Sequence, residues 1–182
     1  MTQRVACFTG RFQPFHRQHL EVLSALSQKF DRIIIGVTNP DLNNLQEHSA
    51  SQHRHTDDAN PFSYESRVSI IQDSIADVPE INAAAIEIIA FDLNDPASWH
   101  VPTDTVFALR IFSPWEASKS TLFSDFGFGV LELPAPTVKL SASNIRQLLI
   151  ANDSSWKTFV APSAIATIEK EWNRAVVIKV SA

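Results

Sequence analysis

Short apolar runs alternate along the chain with stretches in which apolar residues recur every three or four positions. The first pattern is that of strands buried on both faces, the second that of helices with one side against a core. Val5 to Phe8 reads as a first strand, and Gln18 to Gln28 as a helix with Leu20, Leu23 and Leu26 along one side. Arg32 to Val37, centred on Ile33-Ile34-Ile35, reads as a second buried strand. Ser63 is placed to cap a helix that carries Glu65 in its first turn and runs through Val68 and Ile71 to about Ile75. Ala84 to Ala90 and Thr105 to Ile111 are further strands. Ser141 to Ser143 cap a helix from Asn144 to about Ala151, and a last helix follows Pro162 with Ile165, Ile168 and Trp172 on one face. This order predicts an α/β fold with a mainly parallel sheet and helices on both faces. Such sheets bind ligands beyond the carboxyl ends of their strands.

Composition narrows the picture. With 182 residues, 45% of them hydrophobic and no internal repeat, the chain reads as a single domain spanning 1–182. A formal net charge of -5 offers no basic surface for nucleic acid, although a few placed cations suffice for a small anionic substrate. Cys7 is the single cysteine, so no internal disulfide forms and a reducing compartment is expected. Set in an apolar run, Cys7 reads as a small core residue rather than a nucleophile. The run from Val5 to Phe8 is too short for a secretory signal, and nothing approaches the roughly 18 apolar residues of a membrane span. A cytoplasmic protein without membrane or nucleic-acid partners is expected.

One segment stands apart. Asn39 to Asn60 is polar, carries His48, His53 and His55, and contains Asp57-Asp58. Histidine and carboxylate are good metal ligands, but their spacing here fits no compact zinc pattern. A mobile loop on the substrate side, about 39–60, is the better reading, with no metal site built by the protein.

Two stretches carry candidate chemistry. The first, Gly10-Arg11-Phe12-Gln13-Pro14-Phe15-His16-Arg17-Gln18-His19, follows the first strand and opens the first helix. Gly10 allows a sharp turn and Pro14 stiffens the approach. His16 and His19, three apart, face the same point at the helix N-terminus, where backbone amides favour an anion. Arg11 and Arg17 stand close enough to bind phosphate, one of them alternatively a solvated surface charge. The second stretch is Leu140-Ser141-Ala142-Ser143-Asn144-Ile145-Arg146. Its serines can cap a helix and offer hydroxyls to phosphate, while Arg146, one turn in, presents a planar fork of donors. Taken singly, each stretch is also compatible with an ordinary capped turn carrying surface residues.

Together they are more specific. The first stretch resembles the signature of HxGH-superfamily nucleotidyltransferases, most closely that of archaeal-type nicotinamide mononucleotide adenylyltransferases, and Leu140 to Arg146 resembles their second signature. Asn60 to Arg67 is similar to the start of their second crossover helix, and Trp156 with Pro162-Ser163 to their C-terminal helical end, about 143–174. Asp92 and Trp99 look like the pair that holds the nicotinamide ring. The resemblance implies a Rossmann-like fold and transfer of AMP from ATP to nicotinamide mononucleotide, giving NAD and pyrophosphate. His16, His19 and Arg146 would be catalytic, with Gly10, Arg11, Phe12, Gln13, Arg17, Ser141 and Ser143 binding ATP and its phosphates. It further implies Mg2+ bridging the ATP phosphates, held mostly by substrate and water, and a homo-oligomer.

Three departures concern base or acceptor recognition. Gln18 replaces the glycine between the histidines and is expected to crowd the nucleotide. Phe107 to Ile111 replaces a Gly-rich strand end, with Arg110 offering a substitute contact, and Pro96 stands where an asparagine is common. Two alternatives therefore stay open. One is a related transferase with another acceptor (nicotinate mononucleotide, a flavin phosphate, a specialised metabolite) or with CTP. The other is a nucleotide-binding regulatory protein with little turnover. Aminoacyl-tRNA synthetases share the histidine signature in outline, but this chain is too short and too acidic to hold a tRNA.

Overall fold

The computed structural model describes residues 3–42, 45 and 56–181. Among the described residues, five strands and five α-helices follow one another. They are β1 (Val5–Gly10), α1 (Arg17–Ser27), β2 (Arg32–Thr38), α2 (Tyr64–Ala76), β3 (Ile86–Phe91), β4 (Val106–Leu109), α3 (Pro114–Asp125), β5 (Gly129–Glu132), α4 (Ala142–Ile150) and α5 (Ile165–Ser181). All strand pairs are parallel, in the order β3-β2-β1-β4-β5. From β1 the chain steps outward through β2 and β3, then crosses back to β4 and steps the other way to β5. Chain direction therefore reverses between β1 and β4, where Ala6 lies opposite Val106 and Phe8 opposite Ala108. A crevice opens at the carboxyl ends of strands at such a switch point.

Alternation along each strand divides two cores. Ala6, Phe8, Ile33, Ile35, Val37 and Ala108 face a cluster completed by Leu20, Leu23 and Leu26 of α1, Ile70 and Ile71 of α2, and Ile168 of α5. Cys7, Ile34, Phe107 and Leu109 face the opposite side, against Phe91, Trp99 and Phe123 of α3. Helices thus cover both faces, as expected for a Rossmann-like α/β sheet. Gly36 belongs to the second face, where a Cβ would stand 2.9 Å from Thr9 Cγ2 and 3.0 Å from Phe91 Cγ. Cys7 is fully buried, and burial pushes its thiol well above the ordinary value, which removes it as a nucleophile.

Local signals placed most elements. Ser63 caps α2 by accepting from Ser66 N–H, and Ser141 caps α4 by accepting from Ser143 N–H. α5 extends to Ser181, past the expected end near 174. Sequence patterning missed α3 and β5. Only Lys119 and Phe123 of α3 are buried, so the helix carries no apolar stripe, and β5 is a half-exposed edge strand of four residues. Of the polar stretch 39–60, His48, His53 and His55 lie outside the described residues. At its end, Asp57–Ala59 form a 3₁₀ turn, and buried Asn60 donates to Thr56 O at 2.9 Å.

Candidate active site

A cavity of about 370 Å³ opens at the β1–β4 switch point, lined by residues of both sequence motifs. Gly10, Arg11, Phe12, Gln13, His16, Gln18 and His19 come from the first, Ser141 and Ser143 from the second. The loop between β1 and α1 is held rigidly. Phe12 adopts a positive φ of 52° and packs its ring against Phe8, Phe15 and His19. Gly10 is required beside it, because a Cβ there would lie 2.6 Å from the Phe12 ring. Phe12 therefore supports the histidines from beneath, more than it offers a contact of its own. Gln13 is buried, and its carboxamide donates to Phe62 O and accepts from Phe62 N–H, both at 2.9 Å.

His16 and His19 form a stacked pair, ring centres 3.6 Å apart. His19 Nδ1 accepts from the His16 N–H at 3.1 Å, which leaves the ring hydrogen on Nε2. Burial holds both imidazoles neutral. The His16 pKa falls to about 3, and His19, where burial is reinforced by the positive charges of Arg110 and Lys139, lies well below its usual value. His16 Nδ1 is buried without a hydrogen-bond partner among the described residues. The pair therefore faces the cavity as neutral N–H donors at a helix N-terminus, suited to oxygens on which negative charge grows.

Arg146 lies behind this wall and is not among the residues lining the cavity. It donates from Nη1 to Gln13 O at 2.7 Å and from Nη2 to Ser143 Oγ at 3.1 Å. One buried guanidinium thus joins the two motifs, and burial lowers its pKa. Arg67 does similar work below the loop. Fully buried, it donates to the carbonyls of Arg11, Thr38, Asn39 and Ser63.

Other expected residues sit differently. Arg17 is exposed and turned away, donating to Thr158 O at 2.8 Å. Arg11 lines the cavity while reaching Ala59 O and Asn60 Oδ1. Gln18 does not project freely into the nucleotide space: it donates to Val138 O at 2.8 Å and accepts from Leu140 N–H at 2.9 Å. Arg110 donates to Gln18 O and pairs with Glu21 at 3.1 Å. Asp92 and Trp99 are absent from the cavity lining. Trp99 is buried, stacks on Phe91 at 5.0 Å, packs edge-on to Phe123, and donates its indole N–H to Asp92 O. A ring enclosed in this way has no open face for a nicotinamide, which departs from the sequence expectation.

Sequence reasoning missed five further lining residues, Phe112, Trp115, Glu116, Lys119 and Lys139. Lys119 is buried and donates to Thr9 O at 3.1 Å, at the carboxyl end of β1. Glu116, the only carboxylate among the described residues of the lining, accepts from Ser113 and pairs with Lys139 at 3.0 Å. No group of three potential metal ligands occurs among the described residues, and none of their helices is long and apolar enough to cross a membrane.

Comparison with known proteins agrees with this arrangement. A family profile described as cytidylyltransferase-like matches residues 7–148. Phosphonoformate cytidylyltransferase of Streptomyces viridochromogenes is 26% identical, covering 89% of this chain and 88% of its own. Nicotinamide-nucleotide adenylyltransferase of Ignicoccus hospitalis is 32% identical, covering 91% of each. Among solved structures, a bifunctional NMN adenylyltransferase/ADP ribose pyrophosphatase from Francisella tularensis superposes with a TM-score of 0.65 at 17% identity. It covers 97% of this chain, which spans 53% of that larger protein. With both signatures lining one switch-point cavity and the profile spanning most of its length, this chain belongs to the cytidylyltransferase-like family.

Proposed function

We propose that the protein is a nucleotidyltransferase that moves AMP from ATP onto the phosphate of nicotinamide mononucleotide, releasing NAD and pyrophosphate. The observation that carries this reading is the convergence of His16, His19, Ser141 and Ser143 on one cavity, with Arg146 fastening the two motifs together. The archaeal relatives named for this activity support the choice of nucleotide and acceptor. A phosphate oxygen of the acceptor attacks the α-phosphorus in line. The new P–O bond forms as the bond to the bridging oxygen breaks, and pyrophosphate leaves with the electron pair. The attacking oxygen is already anionic, so no general base or covalent enzyme nucleophile is required.

The protein's work is positioning and charge dispersal. The neutral N–H groups of His16 and His19 stabilise charge developing on the triphosphate, and Ser141 and Ser143 offer hydroxyls to the departing pyrophosphate. Arg146 places its positive charge behind Ser143, and Arg11 adds a cation at the rim. Mg2+ would neutralise phosphate charge. Because Glu116 is engaged and no ligand cluster occurs among the described residues, its ligands would be phosphate oxygens and water. We place the reaction in the cytoplasm and expect a homo-oligomer without nucleic-acid partners.

A second reading keeps the chemistry and changes the substrates: CTP, or a smaller phosphonate acceptor. The enclosure of Trp99 and the similarity to phosphonoformate cytidylyltransferase favour it. Pyrophosphate release with magnesium, from ATP or CTP, against nicotinamide mononucleotide, nicotinate mononucleotide and phosphonoformate separates the two when products are identified by mass. NAD is the expected product. Turnover confined to CTP or to phosphonoformate selects the second reading, and silence across the panel with nucleotide bound overturns both.

A further inference from the structure

We propose that Gln18 is a positioning residue for the leaving pyrophosphate, setting the hydroxyls of Ser141 and Ser143 against the histidine pair through the segment 138–140. This rests on the nucleotidyl-transfer reading above. Gln18 stands on the first turn of α1, between His16 and His19, and its carboxamide is spent on main chain. Nε2 donates to Val138 O at 2.8 Å, and Oε1 accepts from Leu140 N–H at 2.9 Å. The carboxamide takes up a carbonyl and an amide two residues apart, as a residue of a neighbouring parallel strand would. Its own backbone is held from the other side, where Arg110 donates to Gln18 O and pairs with Glu21. A glycine between the histidines could make neither carboxamide bond.

What these bonds hold is the run of chain into the second motif. Leu140 is followed directly by Ser141, the cap of α4. Ser141 Oγ accepts from Ser143 N–H at 3.2 Å, and Ser143 Oγ accepts from Arg146 Nη2 at 3.1 Å. Each serine oxygen is thus engaged as an acceptor, and among the described residues neither hydroxyl has a protein acceptor of its own. Their O–H groups are left to donate, and both serines line the cavity together with Gln18 and the histidines. Lys139, between the two tethered backbone groups, pairs with Glu116 at 3.0 Å and lies over the Phe112 ring at 4.6 Å. The segment is therefore pinned through its main chain to α1 and through one side chain to α3.

Two links join the motifs, and they act on different parts of the second. Arg146 reaches Gln13 O and Ser143 Oγ from within α4, whereas Gln18 acts on the chain before the cap. Donors stabilise a departing anion in proportion to how well they are placed before the reaction begins. Gln18 therefore acts on the leaving group through the serines and leaves the acceptor alone.

The test is a double-mutant cycle read by binding of inorganic pyrophosphate with magnesium, titrated calorimetrically into the full chain. Gln18→Met keeps the length of the side chain and loses both bonds, so pyrophosphate should bind about tenfold more weakly while circular dichroism reports an intact fold. The background for the second half of the cycle carries Ser143→Ala and Ser141→Gly, the latter because glycine is tolerated at a helix cap. There, Gln18→Met should change pyrophosphate affinity by less than about twofold, because the groups it positions are gone. Gln18→Ala should repeat both results. In steady-state kinetics of Gln18→Met, kcat should fall about tenfold with the acceptor KM within about twofold of wild type. An unchanged pyrophosphate affinity in Gln18→Met, an equal loss with and without the serines, or no pyrophosphate binding to the wild-type chain overturns the proposal. Turnover bears separately on the reading beneath it. Binding that follows the cycle while no acceptor in the panel reacts keeps the positioning role and sinks the transfer reading; turnover that Gln18→Met leaves unchanged sinks the positioning role alone.

Discussion

The wall formed by α1 and the start of α4 draws its polar groups from two short contiguous stretches, each tied to backbone at a helix start. A second wall collects Phe112, Trp115, Glu116 and Lys119 from a turn and a helix. On the first wall, Phe12, Gln13 and Arg146 hold the loop through ring packing and hydrogen bonds to carbonyls. Altering any of these side chains disturbs its neighbours. On the second, a side chain on α3 can change without moving the helix backbone, because its spacing is that of any helix face. The contrast is one of construction: the first wall is fixed by packing and hydrogen bonds among its own side chains, the second by the backbone of one helix.

The sharpest way to break this contrast is at His16. Its ring is a neutral donor in a buried stack, so His16→Ala should lower kcat about 10²–10³-fold while acceptor KM changes little, as steady-state kinetics would read. A loss expressed mainly in acceptor KM would argue against that donor role. Next comes the support beneath the loop. Arg67→Met leaves the carbonyls of Arg11, Thr38, Asn39 and Ser63 short of a donor, which should cost roughly 3 kcal/mol in urea unfolding.

Acidity provides a graded probe of the rigid wall. The folded His16 pKa lies near 3, below its ordinary value of 6.5, so between these values the unfolded chain binds a proton that the folded chain refuses. Stability should fall as pH drops through that window, and His19 adds to the same slope. Urea midpoints measured from pH 7 to pH 4 would flatten in a His16→Ala, His19→Ala double variant. The smallest expected effect is at Gln18. Gln18→Gly removes the bridge to Val138 and Leu140, and exchange of the Leu140 amide should accelerate about tenfold. Unchanged exchange would show that the segment is held from the Lys139–Glu116 side instead.

The same contrast explains what could be read in advance. The sheet, α1, α2 and the caps Ser63 and Ser141 follow from local patterning and capping chemistry. The histidine pair was legible because a helix start is expected there: His16 is the residue that precedes α1 and His19 lies in its first turn, where the two rings stack. Lys119 was not, since α3 has no apolar stripe and the meeting of Lys119 with Thr9 spans 110 positions. Arg146 and Gln18 were singled out, but their partners were invisible. An arginine sequestered by Gln13 O, and a glutamine spent on Val138 and Leu140, depend on how distant segments settle. Trp99 misled for the same reason, because only the packing of Phe91 and Phe123 reveals that its faces are occupied.

Arg67 also has a bearing on chain length. Its guanidinium holds Asn39 O where the polar stretch departs from β2, and Ser63 O where the chain enters α2. The two ends of that excursion are fixed by a single side chain, and Gln13 secures Phe62 beside them. Closing a longer loop between fixed ends costs only about 0.6 kcal/mol per doubling of its length. A change in length between these anchors is thereby expected to cost little stability, provided that Ala59 and Asn60, which meet Arg11 of the histidine loop, are kept.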